Sequence, residues 1–344
     1  MKPKCKHRLR LSIGKGADGI YHYKSITGYG DTPAQARKDA ERLSREWQVL
    51  HKHQQTGGSM TLAQAYSAYI DSKMNVLSPS TLADYIRMAK RDLPKLMPMK
   101  LDSITQSDVQ NAINDAAKTH SPKTIRNIHG LLSAVLRQYA PSIHLTTTLP
   151  QKTRPEIYVP SNSDIEKLIA CAELEAKKII VLAAIGSLRR SEICGLTAAD
   201  IDGNVITIRQ VMVVSPSGGY CMKNAPKSDA GFREITMPHE VMHLLTPAEG
   251  SDRIVSINPQ GCYKAFKRTL SRAGLPSFRL HDLRHYQASI LHAMGVPDKY
   301  IMERGGWKTD STLKNIYQHT MDEKRKEVED TICDFFSDKF KDVL

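Results

Sequence analysis

The sequence predicts a multidomain protein that is mainly α-helical and carries small β-sheets. Its 344 residues suffice for two or three domains. Helical periodicity dominates from residue 61 onwards, whereas strand-like alternation is confined to short stretches. Residues 54–59 and 146–160 have the composition of linkers. The domains expected from these boundaries span residues 1–55, 60–145 and 155–344.

The first domain is predicted to be a three-stranded sheet backed by one helix. Arg8–Ile13 and Ile20–Thr27 alternate polar and apolar side chains, as strands do. Gly28-Tyr29-Gly30 is typical of a turn. Thr32-Pro33 is typical of a helix start, and the helix is expected from about Ala34 to His51. A β-ribbon can enter the major groove, so this sheet is a candidate DNA-binding element.

The charge of the chain indicates a polyanionic partner. The net charge is +13, and residues 1–55 hold twelve Lys and Arg against five Asp and Glu, or +7. Nucleic acid is the leading candidate; an anionic membrane surface is the alternative, but no apolar run approaches a spanning length. The six cysteines lack zinc-site spacing and the N-terminus lacks a secretory signal. We therefore expect a cytoplasmic, nucleoid-associated protein with no membrane partner.

Residues 61 to about 140 are predicted to form a compact bundle of four or five short helices. Apolar side chains from Leu62 to Ile70 mark one face of the first helix. Further helices are expected at Ser80–Leu93, from Thr105 to about Ala117, and from Ser121 to about Leu136. Basic side chains on these helices are compatible with DNA contact and equally with ordinary solvated surface.

The remainder of the chain is predicted to be an α+β domain. Helices are expected at Ser163–Glu175, Ala176–Ile185, Gln260–Ala273, His281–Met294, Pro297–Arg304 and Ser311–His319. Strands of a small sheet are expected at Val205–Val214 and Arg233–Met237.

Two arginine-bearing segments of this last domain are candidate anion-binding elements. A long apolar helix breaks just before Arg189 and Arg190, and Glu192 follows at a spacing that can hold a guanidinium by an ion pair. His281 and Arg284 share one face of a helix, so both can reach the same anion. Taken alone, each arginine is more typical of a surface or ion-paired side chain. Together they offer the bidentate donors that suit a phosphodiester.

Three further residues complete a set that can break and rejoin a DNA strand. Tyr317 offers a hydroxyl nucleophile, and a phosphotyrosyl ester conserves bond energy, so we expect neither a cofactor nor a metal ion. Lys227 is a candidate proton donor for the departing 5′ oxygen. Trp307 offers an indole N–H to a phosphate oxygen. The ordinary alternatives are a half-buried tyrosine, an exposed lysine and a core tryptophan.

In this order the segments resemble the motifs of the tyrosine recombinase family, the phage-integrase type. Gly186–Leu196 is similar to the first arginine motif, Lys227–Arg233 to the β-hairpin lysine motif and His281–His285 to the second arginine motif. Gly306-Trp307 resembles the glycine–histidine pair, with tryptophan in place of histidine, and Tyr317–His319 resembles the nucleophile motif. The resemblance implies the catalytic set Arg189, Lys227, His281, Arg284, Trp307 and Tyr317.

The resemblance implies an enzyme that integrates and excises a phage or other mobile element through a 3′-phosphotyrosyl intermediate. Two features depart from the family pattern. Arg190 stands where an apolar residue is usual, so either adjacent arginine can face the phosphate, and we favour Arg189. Tryptophan at position 307 has no acid–base group, so proton transfer would depend more on Lys227. The lysine motif of the family points to Lys227 as the proton donor in preference to Lys223.

The resemblance also implies roles for the domains and the partners. Residues 1–55 would bind arm-type sites and residues 60–145 core sites on double-stranded DNA, and residues 155–344 would be the catalytic domain with a C-terminal tail. An apolar stripe in that tail would hold a homotetramer together on DNA, or alternatively form an intramolecular lid. The stripe consists of Val328, Ile332, Phe335, Phe336, Phe340 and Val343. An excisionase or a DNA-bending host protein is a candidate accessory partner.

Two other functions stay open. One is a dimer-resolving recombinase or a type IB topoisomerase-like nicking–closing enzyme, and the extra basic N-terminal sheet disfavours the resolvase. The other is a DNA-binding regulator without chemistry, which the filled catalytic positions disfavour.

Overall fold

The structure is a computed structural model that describes residues 5–15, 21–51, 60–152, 158–224, 231–247, 250–309 and 313–314. The chain divides into two compact units, residues 1–154 and 155–344. Within the described ranges, no helix is long and apolar enough to cross a membrane.

An antiparallel ribbon begins the first unit. Strand β1 (Cys5–Lys15) pairs with strand β2 (Tyr21–Gly30), and helix α1 (Pro33–His51) covers one face of the ribbon. Ala36 and Ala40 of the helix are fully buried there. The small side chains let the helix lie close to the strands, whereas Lys6, Arg8 and Arg10 of β1 are exposed.

The prediction of a three-stranded sheet with a turn at Gly28–Gly30 is wrong. The described residues form a two-stranded sheet, and these glycines lie inside β2. A Cβ atom on Gly28 would lie 2.2 Å from the backbone nitrogen of Ala40 and 2.4 Å from the carbonyl oxygen of Ala36. The glycines therefore serve the close approach of α1. Glycines are typical both of turns and of places where two backbone segments lie close together. Only the contact with α1 shows which of the two applies at Gly28.

Four helices follow within the described part of the first unit, as predicted. They are α2 (Leu62–Ser72), α3 (Pro79–Arg91), α4 (Gln106–Ala117) and α5 (Pro122–Tyr139). Each begins after a Ser or Thr whose side-chain oxygen accepts a hydrogen bond from the backbone N–H three residues later, and these caps are Thr61, Ser78, Thr105 and Ser121. The apolar faces close on one core that includes Tyr66, Ile113 and Leu132.

The chain after α5 was predicted to be a linker, and residues 146–152 contain neither helix nor strand. They are nevertheless held on the helical bundle. The backbone N–H of Thr148 donates to Gln110 Oε1 at 2.9 Å, and Arg126 Nη2 donates to the carbonyl oxygen of Pro150 at 2.6 Å. The first part of this segment therefore belongs to the bundle.

The second unit surrounds a helix that is buried on nearly all sides. Its described helices are α6 (Asn162–Cys171), α7 (Leu174–Ala184), α8 (Arg190–Gly195), α9 (His239–Met242), α10 (Pro259–Arg272), α11 (Asp282–Ala293) and α12 (Asp298–Gly305). Helix α7 is the buried one: Ile179, Ile180 and Leu182 have no exposed surface. A helix that is apolar all round is expected at the centre of a domain.

In the described part of the second unit, two small antiparallel sheets lie among these helices. Strands β3 (Ile201–Asp202), β4 (Val205–Ile208) and β7 (Arg233–Thr236) form one sheet in the order β3-β4-β7; β5 (Val211–Val214) and β6 (Tyr220–Lys223) form a separate hairpin. The single strand predicted over Val205–Val214 is therefore wrong. The break has a tertiary cause, because Arg209 and Gln210 both donate hydrogen bonds to the buried carboxylate of Asp200.

Candidate active site

A sharp reversal of the chain between α7 and α8 places the first arginine. Ser187 has φ 55° and is the one non-glycine residue of the described chain with a positive φ. It is fully buried, and no described group bonds its hydroxyl. An L-residue in this left-handed region is strained by roughly 1–2 kcal/mol. The strained residue lies two positions before Arg189, and backbone strain of this kind is typical of functional sites.

Replacing Ser187 with glycine is therefore expected to stabilise the second unit by about 1 kcal/mol, net of the extra chain entropy of glycine. Urea unfolding followed by tryptophan fluorescence measures this change. The chain has two tryptophans, so a Trp47→Phe background leaves Trp307 as the reporter. Ser187→Ala is the matched control because it removes the hydroxyl and keeps the Cβ atom. A glycine variant no more stable than the alanine variant would show that the backbone is unstrained.

Arg189 points at the turn that precedes Trp307. Its Nη1 donates to Glu192 Oε1 at 2.7 Å, as the spacing predicted, and its Nη2 donates to the carbonyl oxygen of Gly306 at 2.6 Å. The side chain is 32% exposed, so a partner from solution can still reach the guanidinium. Arg190 is exposed at the first position of α8. Of the two adjacent arginines, Arg189 is the one directed to this turn.

Arg284 of α11 reaches the same turn from the other side. The residue is only 1% exposed, and Nη2 donates to the carbonyl oxygen of Gly305, which precedes the carbonyl bound by Arg189. The Nε and Nη1 atoms are buried, and no described residue accepts a hydrogen bond from them. Burial lowers the pKa of Arg284 and the charge of Arg189 lowers it further, but a guanidinium stays protonated at neutral pH. The guanidinium groups of Arg189 and Arg284 therefore meet at the turn of Gly305 and Gly306. Of the two, Arg284 has nitrogens that no described residue bonds.

The carboxylate of Glu192 balances this charge. It is 1% exposed and accepts hydrogen bonds from Arg189 and from Arg233 Nη2, the latter at 2.9 Å. Burial alone would raise the pKa of Glu192. The charge and hydrogen bonds of Arg233, with the charges of Arg189 and Arg284, outweigh burial and lower that pKa to about 2. Glu192 is therefore an anion at neutral pH.

His281 stands at the start of α11, one turn from Arg284. Its ring centroid lies 5.1 Å from that of His285, in an edge-to-face arrangement. Desolvation and then the charge of Arg284 lower the pKa of His281 well below its ordinary value. At pH 7 the ring is neutral and can donate at one nitrogen and accept at the other.

Trp307 packs against an apolar cluster and also lies beside the guanidinium of Arg284. It follows Gly306, which ends α12 in the left-handed conformation at φ 62°. A Cβ atom on Gly305 would lie 2.5 Å from Cε3 of the indole, so the ring lies directly against the turn. The guanidinium carbon of Arg284 is 5.2 Å from the ring centroid. The indole is partly buried against the cluster of Ala288, Ile301 and Leu313.

The structure thus brings together four of the six predicted site residues: Arg189, His281, Arg284 and Trp307. Lys227 and Tyr317 lie outside the described residues, as does the apolar stripe of the tail. Leu313, four positions before Tyr317, packs in the cluster that Trp307 contacts. Among the described side chains, no group of three His, Cys, Asp or Glu is placed to hold a metal ion.

Sequence reasoning missed the central role of Arg233, which appeared there only as part of a motif. Its side chain is 6% exposed and ion-paired with Glu192. A signal was present in the sequence. Arg233 and Ile235 are two apart on a strand and so face the same side. Ile235 is a core residue, and a cation on the core side of a strand requires a buried carboxylate.

The sequence is similar to those of known phage integrases and tyrosine recombinases. The model of the phage integrase family matches residues 156–324, and the phage integrase N-terminal SAM-like domain matches residues 61–116. The XerC-like tyrosine recombinase of Caldanaerobacter subterraneus is 24% identical over 96% of both chains. The chain belongs to the phage integrase family of tyrosine recombinases. It is a site-specific recombinase, an enzyme that breaks and rejoins DNA strands.

Solved structures show the same fold for this recombinase. The Tn1549 transposon integrase in complex with transposon right end DNA has a TM-score of 0.61 at 23% identity, covering 78% of this chain and 99% of that one. A lambda integrase tetramer bound to a Holliday junction has a TM-score of 0.58 at 20% identity, covering 87% and 92%. The predicted combination of helices with small antiparallel sheets is confirmed.

Proposed function

We propose that this recombinase integrates and excises the DNA of a phage or other mobile element through a 3′-phosphotyrosyl intermediate at Tyr317. The observation that carries the proposal is the convergence of Arg189 and Arg284 on consecutive carbonyl groups of one turn. Buried donors without protein acceptors are costly. Two such N–H-bearing nitrogens on Arg284 fit a site that is completed by the non-bridging oxygens of a phosphodiester.

Each side chain would then have one task in strand cleavage. Arg189 and Arg284 neutralise the phosphate and stabilise the additional charge of its five-coordinate transition state. Trp307 donates its indole N–H to the same group. Tyr317 attacks phosphorus, and neutral His281 accepts the phenolic proton as the new P–O bond forms. The bond to the 5′ oxygen breaks, and Lys227 supplies the proton that makes it a hydroxyl.

Rejoining reverses the same steps. The 5′-hydroxyl of the partner strand attacks the phosphotyrosyl ester, and the phenol leaves. One ester replaces another in each direction, so the number of high-energy bonds is conserved. The protein mainly positions and neutralises the reacting groups.

A nicked suicide DNA substrate tests this proposal. Its 5′-hydroxyl product diffuses away, so the covalent intermediate accumulates. The wild-type protein is expected to form an SDS-resistant adduct, and Tyr317→Phe, which lacks only the hydroxyl, is expected to form none. An equal adduct from the phenylalanine variant would reject Tyr317 as the nucleophile. No adduct from either protein would favour a DNA-binding regulator.

The outer face of the N-terminal ribbon supports the proposal that residues 1–55 bind arm-type DNA sites. Lys6, Arg8 and Arg10 of β1 are exposed on this face, and the guanidinium of Arg10 lies 4.2 Å from the ring centroid of Tyr23. Neither strand contains an acidic residue. A cationic ribbon without carboxylates is suited to the phosphates that line a groove.

Replacing Arg8 and Arg10 together with alanine is expected to weaken binding of arm-type DNA and to leave cleavage of a core-site substrate unchanged. Two lost phosphate contacts should lower the slope of log affinity against log salt by about 2. Fluorescence anisotropy at several salt concentrations measures this slope. The matched control is Arg37→Ala with Arg42→Ala, which removes the same charge from α1, where both side chains form ion pairs. Equal losses from the two double variants would reject the ribbon as the binding face.

We further propose that residues 60–145 bind core sites and that the protein acts as a homotetramer held by its C-terminal tail. The neighbouring lambda integrase structure is a tetramer on a Holliday junction, which supports the assembly state. The apolar stripe of the tail supports the tail as the connecting segment.

A further inference from the structure

The guanidinium of Arg233 uses every donor that it has. Nε donates to the carbonyl oxygen of Arg304 at 2.8 Å, and Nη1 donates to the carbonyl oxygen of Gly231 at 3.1 Å. Nη2 donates to the carbonyl oxygen of Ser187 at 3.2 Å. Both terminal nitrogens also donate to Glu192, at 3.3 and 2.9 Å. These contacts match the five N–H groups of a guanidinium.

Two of the acceptors belong to the segment that presents Arg189. Ser187 stands two residues before it at the strained reversal, and Glu192 holds its guanidinium. A single planar group therefore sets the distance between the backbone at Ser187 and the carboxylate of Glu192. Arg189 lies between these two fixed points.

A third acceptor belongs to the turn that Arg284 binds. Arg304 directly precedes Gly305 and Gly306, whose carbonyl groups accept from Arg284 and Arg189. The side chain of Arg304 is itself fixed, because its Nη2 donates to the carbonyl oxygens of Ile185 and Thr236. Arg233 thus ties the turn shared by both cations to the segment that carries one of them.

We infer that Arg233 is a positioning residue that fixes the guanidinium groups of Arg189 and Arg284 relative to each other for strand cleavage. The inference rests on the proposed function, in which both groups hold the scissile phosphate. Arg233 does not itself contact DNA in this scheme, since its side chain is 6% exposed and its donors are occupied.

Lysine cannot replace Arg233 in this role. Lysine keeps the positive charge beside Glu192 but has three donors on one atom, so it cannot bond acceptors on several segments in one plane. Arg233→Lys is therefore expected to retain the fold while loosening the turn. A misplacement of about 1 Å in a reacting group costs on the order of 10²-fold in rate.

The experiment compares two suicide substrates that differ only at the scissile position. One carries the ordinary phosphate, and the other carries a methylphosphonate, which is neutral and depends less on two correctly placed cations. Single-turnover cleavage of the phosphate by Arg233→Lys is expected to be about 10²-fold slower than by wild type. With the methylphosphonate the deficit is expected to shrink to a few-fold. Affinity for core-site DNA and the Tm should stay close to wild type.

Two variants complete the test. Arg209→Lys is the control, because Arg209 pairs with the buried Asp200 in the same unit and is half exposed; it should cleave both substrates as wild type does. Arg233→Gln is the second variant, neutral and of similar length, and should show the same substrate dependence. Equal losses on both substrates, normal cleavage of the phosphate, or unfolding of both variants would overturn the inference. If wild type cleaves neither substrate, the proposed function itself fails.

Discussion

Replacing Arg284 with methionine is expected to abolish most strand cleavage while leaving the free protein as stable as wild type or more stable. The loss in activity should be about 10²–10³-fold, by analogy with removing one donor from an oxyanion site. Stability should not fall, because the buried guanidinium has two nitrogens without described acceptors and lies beside the cation of Arg189. Unsatisfied buried donors cost about 1–3 kcal/mol each, and methionine removes them at similar length.

Suicide-substrate cleavage and thermal unfolding without DNA measure the two effects of Arg284→Met. The control is Arg272→Met, because Arg272 of α10 is half exposed and pairs with an exposed carboxylate, that of Glu173. A methionine variant at position 284 that cleaves within a few-fold of wild type would reject its part in holding the phosphate. One that unfolds well below the wild-type Tm would show that the cation is satisfied in the free protein.

Replacing Glu192 with glutamine is expected to destabilise the second unit by roughly 3 kcal/mol at pH 7. That figure corresponds to the fall in the pKa of this carboxyl from 4.5 to about 2, and it agrees with the usual cost of breaking a buried ion pair. The folded-state pKa is depressed, so the stabilisation is fully present above pH 4.5. It is lost progressively as pH falls towards 2.

Urea unfolding of Glu192→Gln and wild type, reported by Trp307 in the Trp47→Phe background, follows this dependence. The two proteins should differ most at pH 7, and the difference should shrink below pH 4.5 and nearly vanish as the pH reaches about 2. Glu175→Gln offers a comparison, because that carboxylate pairs with the buried Lys178 and is itself 29% exposed. A difference between wild type and Glu192→Gln that is constant from pH 7 to pH 3 would show that the carboxylate charge is not what stabilises the site.

Local signals made the helix starts and one ion pair of the site predictable. The Ser or Thr caps at Thr61, Thr105 and Ser121 act within four residues, so the sequence is enough to place the helix starts. The ion pair between Arg189 and Glu192 is also local, since it spans one helical turn. Both predictions are confirmed for this reason.

Features that depend on distant segments were not predictable in the same way. Gly28 is a strand residue because α1 lies on it, and β4 ends because Asp200 binds the next two side chains. The meeting of Arg189 and Arg284 at the turn before Trp307 joins segments about a hundred residues apart. Spacing along the chain contains no information about that meeting, and it was reached only through the resemblance of the motifs.

The most direct test of covalent cleavage is to locate the bond between protein and DNA. The adduct trapped on the suicide substrate is digested with trypsin and nuclease and then analysed by mass spectrometry. The expected product is the tryptic peptide 315–324, which contains a single tyrosine, Tyr317, joined to a 3′-phosphate while the opposite DNA end carries a free 5′-hydroxyl. A bond to any other side chain, or a link through a 5′-phosphate, would contradict the proposed chemistry.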